Sequence, residues 1–566
     1  MDRYTGLSAL RTLCLPGGII LLSGLGITSA TADDVPVFSL DTNSLTFTAA
    51  TPNAKDPPSQ YVTATITGGS PSGTLYVLIN KTGIGVSSVR DFTINGNGGR
   101  GTVTVVQPVN LASGTYNSTI TVRACLNDST CATGELAGSP QVVNVTYTIG
   151  ALPVTNGVMP QVVAAGSAGR VIIRGNGFTG VTGVSFGSTP ATSFLRISNT
   201  EIQANYPATL AAGTYPVTLT GGPASFSGSL TIVSQQPYTA QTLALPETPL
   251  RINSALYDAK RSALLVCAAF QQSSSNKLWR YTWSPETVSW SAPEVIAIPE
   301  LSDVAFTPDG SRLVAVTGYS ILELDAANPG GGTLRSVAGP YVQGAPNEWR
   351  YLRRIEMAND GTAYLTTGGG GWIPNYMYSS VDGSLIELNS NFQTYTLGTG
   401  TTPLLAASAD GSRVMALQNG ISPPRPILEY NPSTAKLANA SLSFNQWGDY
   451  PATMDATGNK LGVWYGILNQ IYSRDYRLLG YIPLQRRLMQ LNPQGTRAYV
   501  LNSSGLLRTY DVTANVNGFA YPEIGTGVTL AVPASSGSTV LTVITPDGRT
   551  LFFVGDGGIA VVPVTN

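Results

Sequence analysis

The sequence predicts an all-β protein: two β-sandwiches followed by a seven-bladed β-propeller. Three observations carry this. Runs rich in Thr and Val alternate apolar and polar residues with period two, the signature of half-buried strands. Gly, Pro and Asn break these runs at short intervals, where turns need them. The region 236–566 repeats one strand–turn–strand unit, with six intervals over the 289 residues from Ala259 to Gly548, about 48 each. A period of 40–50 with several strands per unit is that of propeller blades.

A chain of 566 residues is too long for one hydrophobic core. Charged residues make up 11% of it, against roughly 25% in an ordinary soluble protein. With net charge −1 the chain has no global field to attract nucleic acid, and its basic residues are not interleaved with aromatics over a long surface. Histidine is absent. That excludes Ser-His-Asp and Cys-His catalysis, His-ligated metals and an imidazole pH switch.

Residues 1–32 read as a signal peptide. Arg3 and Arg11 give a basic start, an uncharged stretch runs from Thr12 to Ala30, and Ala30-Thr31-Ala32 forms an A-x-A cleavage site before Asp33-Asp34. The rival reading, a membrane anchor, is weakened by Pro16-Gly17-Gly18 and by the small, polar distal end. Cys14 follows Leu13 rather than a small residue, which argues against lipidation. No other segment is apolar enough to span, so no membrane span is expected after cleavage.

Residues 33–150 form the first sandwich, with alternating runs such as Ser44–Phe47, Tyr61–Ile66, Thr74–Ile79 and Val142–Tyr147. Cys125 and Cys131 flank a short polar loop, and an oxidising compartment favours a disulfide between them. Cys267 lies in the apolar run Leu264–Phe270 and is expected to be a buried, inert thiol. Ala112-Ser113-Gly114-Thr115-Tyr116, leading into a Thr-Val strand, resembles the closing strands of BACON-type immunoglobulin-like modules.

Residues 151–235 form the second sandwich. Gly169–Phe178 leads into Val184-Ser185-Phe186-Gly187, and Gly213–Thr220 follows. These segments resemble an IPT/TIG domain, which implies an immunoglobulin-like fold used for extracellular binding or spacing and implies no activity. Two motifs here mislead. Gly175-Asn176-Gly177 looks like part of a phosphate loop but opens no helix. Gly183-Val184-Ser185-Phe186-Gly187 matches the nucleophile-elbow pattern but has strand alternation and no histidine base.

In 236–566 the repeated unit turns at Asp309-Gly310, Asp360-Gly361, Asp410-Gly411, Thr457-Gly458, Gln494-Gly495 and Asp547-Gly548, with a degenerate first copy at Asp258-Ala259. Seven turns predict seven blades. The last blade runs out after its third strand, Ile559–Val564, so Thr239–Leu245 is expected to supply the fourth and close the ring. The pattern resembles YVTN-type and lactonase-like propellers, a likeness that identifies fold and little more.

Ligands of such rings approach where the innermost strands begin. Eight residues before each turn Gly, with Ala259 taken as its equivalent in the first copy, stand Arg251, Ser302, Arg353, Pro403, Tyr450, Arg487 and Val540; Arg354, Arg486 and Asp449 are adjacent. Arg251, Arg353, Arg354, Arg486 and Arg487, with Asp449 and Tyr450, form a candidate mouth for an anion, since guanidinium forks suit carboxylate or phosphate. In the competing reading these arginines pair with Asp303, Glu348, Glu356 or Asp449 and hold blades together. Both stay open. Trp279, Tyr281 and Trp283 share one strand face, either as packing between blades or as a sugar platform. Gly368–Gly371 is either a lid or a long turn.

The function that fits is an exported, non-catalytic binding, adhesion or surface-display protein, a sandwich stalk carrying a propeller, with an anionic small molecule, a glycan or an envelope protein as partner. No catalytic residue and no cofactor are expected. One alternative is a propeller hydrolase or lyase using carboxylates or calcium, with Asp303, Asp449 or Glu356; another is an envelope assembly scaffold. The leader sets the first test: intact-mass measurement of the exported chain should give Asp33 as its first residue, and a chain retaining residues 1–32 would overturn the cleavage reading.

Overall fold

The structure, a computed structural model, describes residues 18–21, 35–69, 73–95, 98–234, 238–340, 351–368, 371–396, 404–417, 425–444, 452–465, 468–483, 488–502, 504–513, 520–530 and 540–564. Apart from five single-turn 3-10 segments, its elements are all strands. The chain divides into two compact units, 1–151 and 152–566.

In the first unit, one sheet has the order Gly18–Leu21, Leu75–Thr82, Gly114–Leu126, Gln141–Ile149, Ser44–Ala49; the other runs Val37–Leu40, Gln60–Thr67, Gly98–Val105, Val86–Asn95. Period-two burial is plain in Ser44–Ala49, where Leu45, Phe47 and Ala49 are buried and their neighbours exposed. Such alternation gives each sheet one apolar face. Gly18–Leu21, inside the expected leader, pairs antiparallel with Leu75–Thr82; the rest of 1–32 lies outside the described residues. Cys125 and Cys131 are bonded, their Cα atoms 5.5 Å apart, and Cys267 is free and buried.

The second unit begins with a sandwich. Gly157–Met159, Gly169–Arg174, Glu201–Tyr206 and Ser193–Arg196 make one sheet; Val162–Ala164, Ser229–Val233, Gly213–Thr220, Gly183–Phe186 and Thr189–Pro190 make the other. Val171, Ile173, Ile202, Phe186, Val217 and Leu230 from both sheets share one core. Gly183–Phe186 is a strand, as its alternation requires, so the elbow pattern is accidental.

Among the described residues, seven antiparallel sheets of four or five strands follow, with a separate two-stranded pair of Gly371–Ile373 and Thr394–Thr396. We number them I to VII by their first strands: Arg251–Asp258, Leu301–Phe306, Tyr351–Met357, Leu404–Ala407, Thr453–Met454, Leu488–Leu491 and Leu541–Ile544. Each first strand touches the next, and that of VII touches that of I. Sheet VII takes its last strand from upstream: Gln241–Leu243 pairs antiparallel with Gly558–Pro563. Apolar clusters lie between neighbouring sheets, for example Leu265, Cys267 and Leu278 of sheet I with Leu301, Leu313 and Leu324 of sheet II. Trp279 and Tyr281 are buried at 0% and 1% exposure, and with Trp283, Trp290 and Tyr238 they pack against Phe552 of sheet VII. These rings are therefore inter-sheet packing rather than a sugar platform.

The Asp-Gly signature is a local hydrogen-bond device. In sheet II the Thr307 hydroxyl and Ser311 N–H donate to Asp309 Oδ1, and Gly310 N–H donates to Thr307 O at 2.7 Å. Gly310 has φ +60°, and Gly361, Gly411, Gly458, Gly495 and Gly548 are likewise left-handed, which favours glycine there. In sheet I the corresponding donor to Asp258 O is Arg261 N–H.

The sandwich sits on this turn end of the sheets. Along Gly169–Arg174, Val171 and Ile173 enter the sandwich core while Arg170 and Arg174 face outward. Arg174 forms an ion pair with Glu201 at 3.1 Å, both side chains 1% exposed, and donates from Nε to Asn359 Oδ1 at 2.6 Å. Arg170 meets Asp410 at 3.1 Å. Thr155 N–H donates to Asp360 O at 3.0 Å, and Gln161 donates to Asp309 O. Truncating one partner of a buried pair strands the other charge. Arg174→Ala should therefore lower the stability of the full chain by about 3–5 kcal/mol in denaturant titration. Arg174→Met with Glu201→Leu should recover most of that loss; an Arg174→Ala chain as stable as wild type would show that the contact carries no energy.

Candidate functional site

Three neighbouring first strands carry a β-bulge at one level: the extra residue is Asn253 in sheet I, Ser302 in sheet II and Arg353 in sheet III. A bulge re-aims the side chains around it. Here it leaves Arg353 and Arg354, consecutive in sequence, both in the same cluster of charges. The turn registers also correct the expected alignment. Arg261, not Ala259, stands where the later copies have glycine, so Asn253 is level with Arg353 and Arg251 lies two residues nearer the start of its strand.

Arg251, Arg353 and Arg354 nevertheless come together. Arg251 Nε donates to Asn253 Oδ1 at 3.0 Å, and Arg354 Nη1 donates to the carbonyl of the same Asn253. Arg353 lies over the Tyr351 ring, 5.4 Å from its centroid. Burial, then the charge of Arg354, lowers the Arg251 guanidinium from its ordinary value. Burial, then Arg251, does the same to Arg353, with Arg354 adding to the fall and Glu300 opposing it. Among the described residues, no ion pair within 4.0 Å includes any of the three. Arg486, Arg487, Asp449 and Tyr450, the other members of the expected mouth, lie outside the described residues, as does Glu348.

Behind Arg354 are two carboxyl groups. Asp303 accepts the N–H groups of Val304 at 2.9 Å and of Ile355 at 3.1 Å, which stitches sheet II to sheet III. Burial raises its pKa against the pull of Arg354. Glu356 is pushed up to about 8, first by burial and then by the Asp303 charge, with Arg354 opposing. Asp303 and Glu356 have no third acidic, Cys or His group beside them to complete a metal ligand set among the described residues.

Arg354, Asp303 and Glu356 line a cavity of about 520 Å3, to which the first strands of sheets I, II, III, IV, VI and VII contribute, with Ala452 just before that of sheet V. Met159, Pro160, Gln161 and Val162 of the second sandwich wall its turn end. Sequence reasoning missed Asn253, the bulges and this loop. A signal for the docking was present, since Arg170 and Arg174 flank an apolar run in a chain poor in charge.

Residues 153–234 match the IPT/TIG domain family. They are an IPT/TIG domain. Its outward Arg170 and Arg174 and its Met159–Val162 segment lie against the turn end of the sheets. No curated protein matches the chain. Among solved structures, one chain of a crystal structure of the mitotic checkpoint complex is similar at 12% identity and TM-score 0.39, over 59% of this chain and 98% of that one; so slight a likeness carries no conclusion. No helix among the described residues is long and apolar enough to cross a membrane.

Glu356 gives the site a pH signature. Its folded pKa of about 8 lies above the ordinary 4.5, so between those values the folded state holds a proton that the unfolded chain has released. Stability should therefore fall as pH rises through that window, with a slope approaching ~1.4 kcal/mol per pH unit from this group, and level off above it. Glu356→Gln should flatten the fall in denaturant titrations between pH 5 and 8. An unchanged slope would place the proton elsewhere.

Proposed function

We propose that this is an exported, non-catalytic binding protein whose seven sheets close into a seven-bladed β-propeller, and that the channel mouth at the start of the first strands holds an anionic group. The propeller reading is supported by the circuit of first-strand contacts, by the upstream strand that completes sheet VII, and by the repeated Asp-Gly turns. Export is supported by the leader pattern at 1–32 and by the Cys125–Cys131 bond. A binding or adhesion role is what the IPT/TIG domain suggests.

The observation that carries the ligand reading is the convergence of Arg251, Arg353 and Arg354. Like charges held together lose free energy; burial first, and then this repulsion, lowers the guanidinium pKa values of Arg251 and Arg353. Residues whose sole task was to join sheets would gain by sitting opposite carboxylates. An anion bound between them relieves the repulsion and takes up their free donors.

Isothermal titration of the full chain with small carboxylates (citrate, glucuronate, octanoate) should find binding that weakens with added salt, because partly exposed charges are screened. Arg251→Gln with Arg353→Gln should abolish it and leave the melting temperature nearly unchanged. A large loss of stability in that variant, with no carboxylate bound by wild type, would leave the arginines as structural groups.

A further inference from the structure

The three arginines are aimed by neighbours that carry no charge. Asn253, the extra residue of the bulge in sheet I, bonds in three directions. Its Nδ2 donates to Leu301 O of sheet II at 3.2 Å, and its Oδ1 accepts from Arg251 Nε at 3.0 Å. A carbonyl can only accept and a guanidinium can only donate, so these two partners fix the way the amide faces. The Asn253 backbone carbonyl accepts from Arg354 Nη1.

Arg353 is held by shape instead. Its guanidinium lies over the Tyr351 ring, which meets the Tyr319 ring edge-on with centroids 6.3 Å apart. Tyr351 pairs with Gly368, the last residue of strand Thr362–Gly368. The stem of Arg353 fills the place that a side chain at 368 would take: a Cβ there would stand 2.8 Å from both its Cγ and its Nε. Gly368 is not among the left-handed glycines, so its backbone does not call for glycine. A strand glycine of this kind marks a close approach by another group. Boxed in there, Arg353 Nε is buried without a hydrogen-bond partner among the described residues.

We propose that Asn253 and Gly368 are positioning residues of the anion site: Asn253 turns Arg251, and Gly368 admits Arg353, so that both present their terminal Nη groups to the anion. This rests on the reading of the arginine cluster as an anion site and adds how that site is built. A guanidinium can hold a carboxylate side-on, through Nε and one Nη, or end-on, through both Nη groups. Arg251 Nε is engaged by Asn253 and Arg353 Nε is buried against Gly368, which closes the side-on fork in both and leaves the end-on pair. Asn253 and Gly368 act through the arginines and not on the anion itself.

The test uses the full chain, citrate as the probe and isothermal titration at low salt, with the melting temperature measured alongside. Asn253→Ala removes the side-chain acceptor but keeps the backbone carbonyl that holds Arg354, and Leu301 O keeps its bond from Asn276 Nδ2 at 2.9 Å. Gly368→Ala asks only that the flexible Arg353 side chain move aside. Each variant should weaken citrate binding roughly tenfold and leave the melting temperature close to that of wild type. Each loss should vanish when the arginine it acts through is gone. Asn253→Ala should cost nothing further in an Arg251→Gln chain, nor Gly368→Ala in an Arg353→Gln chain, because residues that act through one contact are not additive. Wild-type affinity in a variant, while Arg251→Gln or Arg353→Gln still weakens binding, would overturn that residue's role and leave the anion site standing. Losses that persist in full in the arginine-substituted chains would overturn it too, since they would come from the fold. Should one variant fail to fold, the other decides by the same comparison. No citrate binding by wild type would sink the anion site and its positioning together.

Discussion

Strand Gln241–Leu243 precedes the first repeat, yet it pairs with Gly558–Pro563 at the end of the last, and the circuit of seven sheets depends on that pairing. Without it, sheet VII would present an open edge of N–H and C=O groups, and sheets I and VII would be joined by side chains alone. With it, the edge is satisfied and the seam is tied by a strand from the opposite end of the sequence. The aromatic cluster of Tyr238, Trp283, Trp290 and Phe552 fills the same seam, so backbone pairing and apolar burial act at one place. The first strands can then face a common cavity.

A second constraint works at the turns. Each Asp-Gly hairpin ties its own loop with short local bonds, which leaves the rim of the sheets rigid. That rim is what the IPT/TIG domain grips, through Asn359, Asp360, Asp410 and Asp309. Burying the Arg174–Glu201 pair costs desolvation, and burial of ions alone would not favour docking. Around that pair the neutral acceptors Asn359 Oδ1 and Ser433 Oγ take up Arg174 donors that would otherwise be stranded. The domain is thus held on sheets II to IV, which gives the turn end an asymmetry that seven similar sheets alone would not have.

That asymmetry recurs in the charges. Arg251, Arg353 and Arg354 gather at one end, while Asp303 and Glu356 lie deeper and hold their protons more tightly than ordinary carboxyl groups. Asp303 ties two sheets through backbone N–H groups, which marks it as structural. Arg354 likewise ties sheet III to sheet I through the Asn253 carbonyl. Arg354 stands between the two groups: its charge opposes the rise of the Asp303 and Glu356 pKa values and adds to the fall of the Arg251 and Arg353 values.

Much of this architecture was legible in the chain itself. The repeated turns, four of them Asp-Gly, are read from a few adjacent residues because their hydrogen bonds are local, and all seven together predict the seven sheets. The alternation in Ser44–Ala49 and the short Cys125–Cys131 loop are equally local, and the strand expected to join the last sheet, within 239–245, does pair with Gly558–Pro563. The level of Arg251 was misjudged by two residues because a turn without glycine hides its own register: Arg261 occupies the glycine position, and sequence spacing took Ala259 instead. The bulges at Asn253, Ser302 and Arg353 have no sequence signature, since a bulge is set by pairing with the adjacent strand. The grip of Arg170 and Arg174 on turns some 180 to 240 residues away was beyond any local pattern. The sequence by itself determined the elements, their order and the closing strand, because those follow from short-range hydrogen bonding and period-two burial. Only the tertiary structure decided which charges meet and which turns the IPT/TIG domain lies against, because both depend on contacts between residues far apart in the chain.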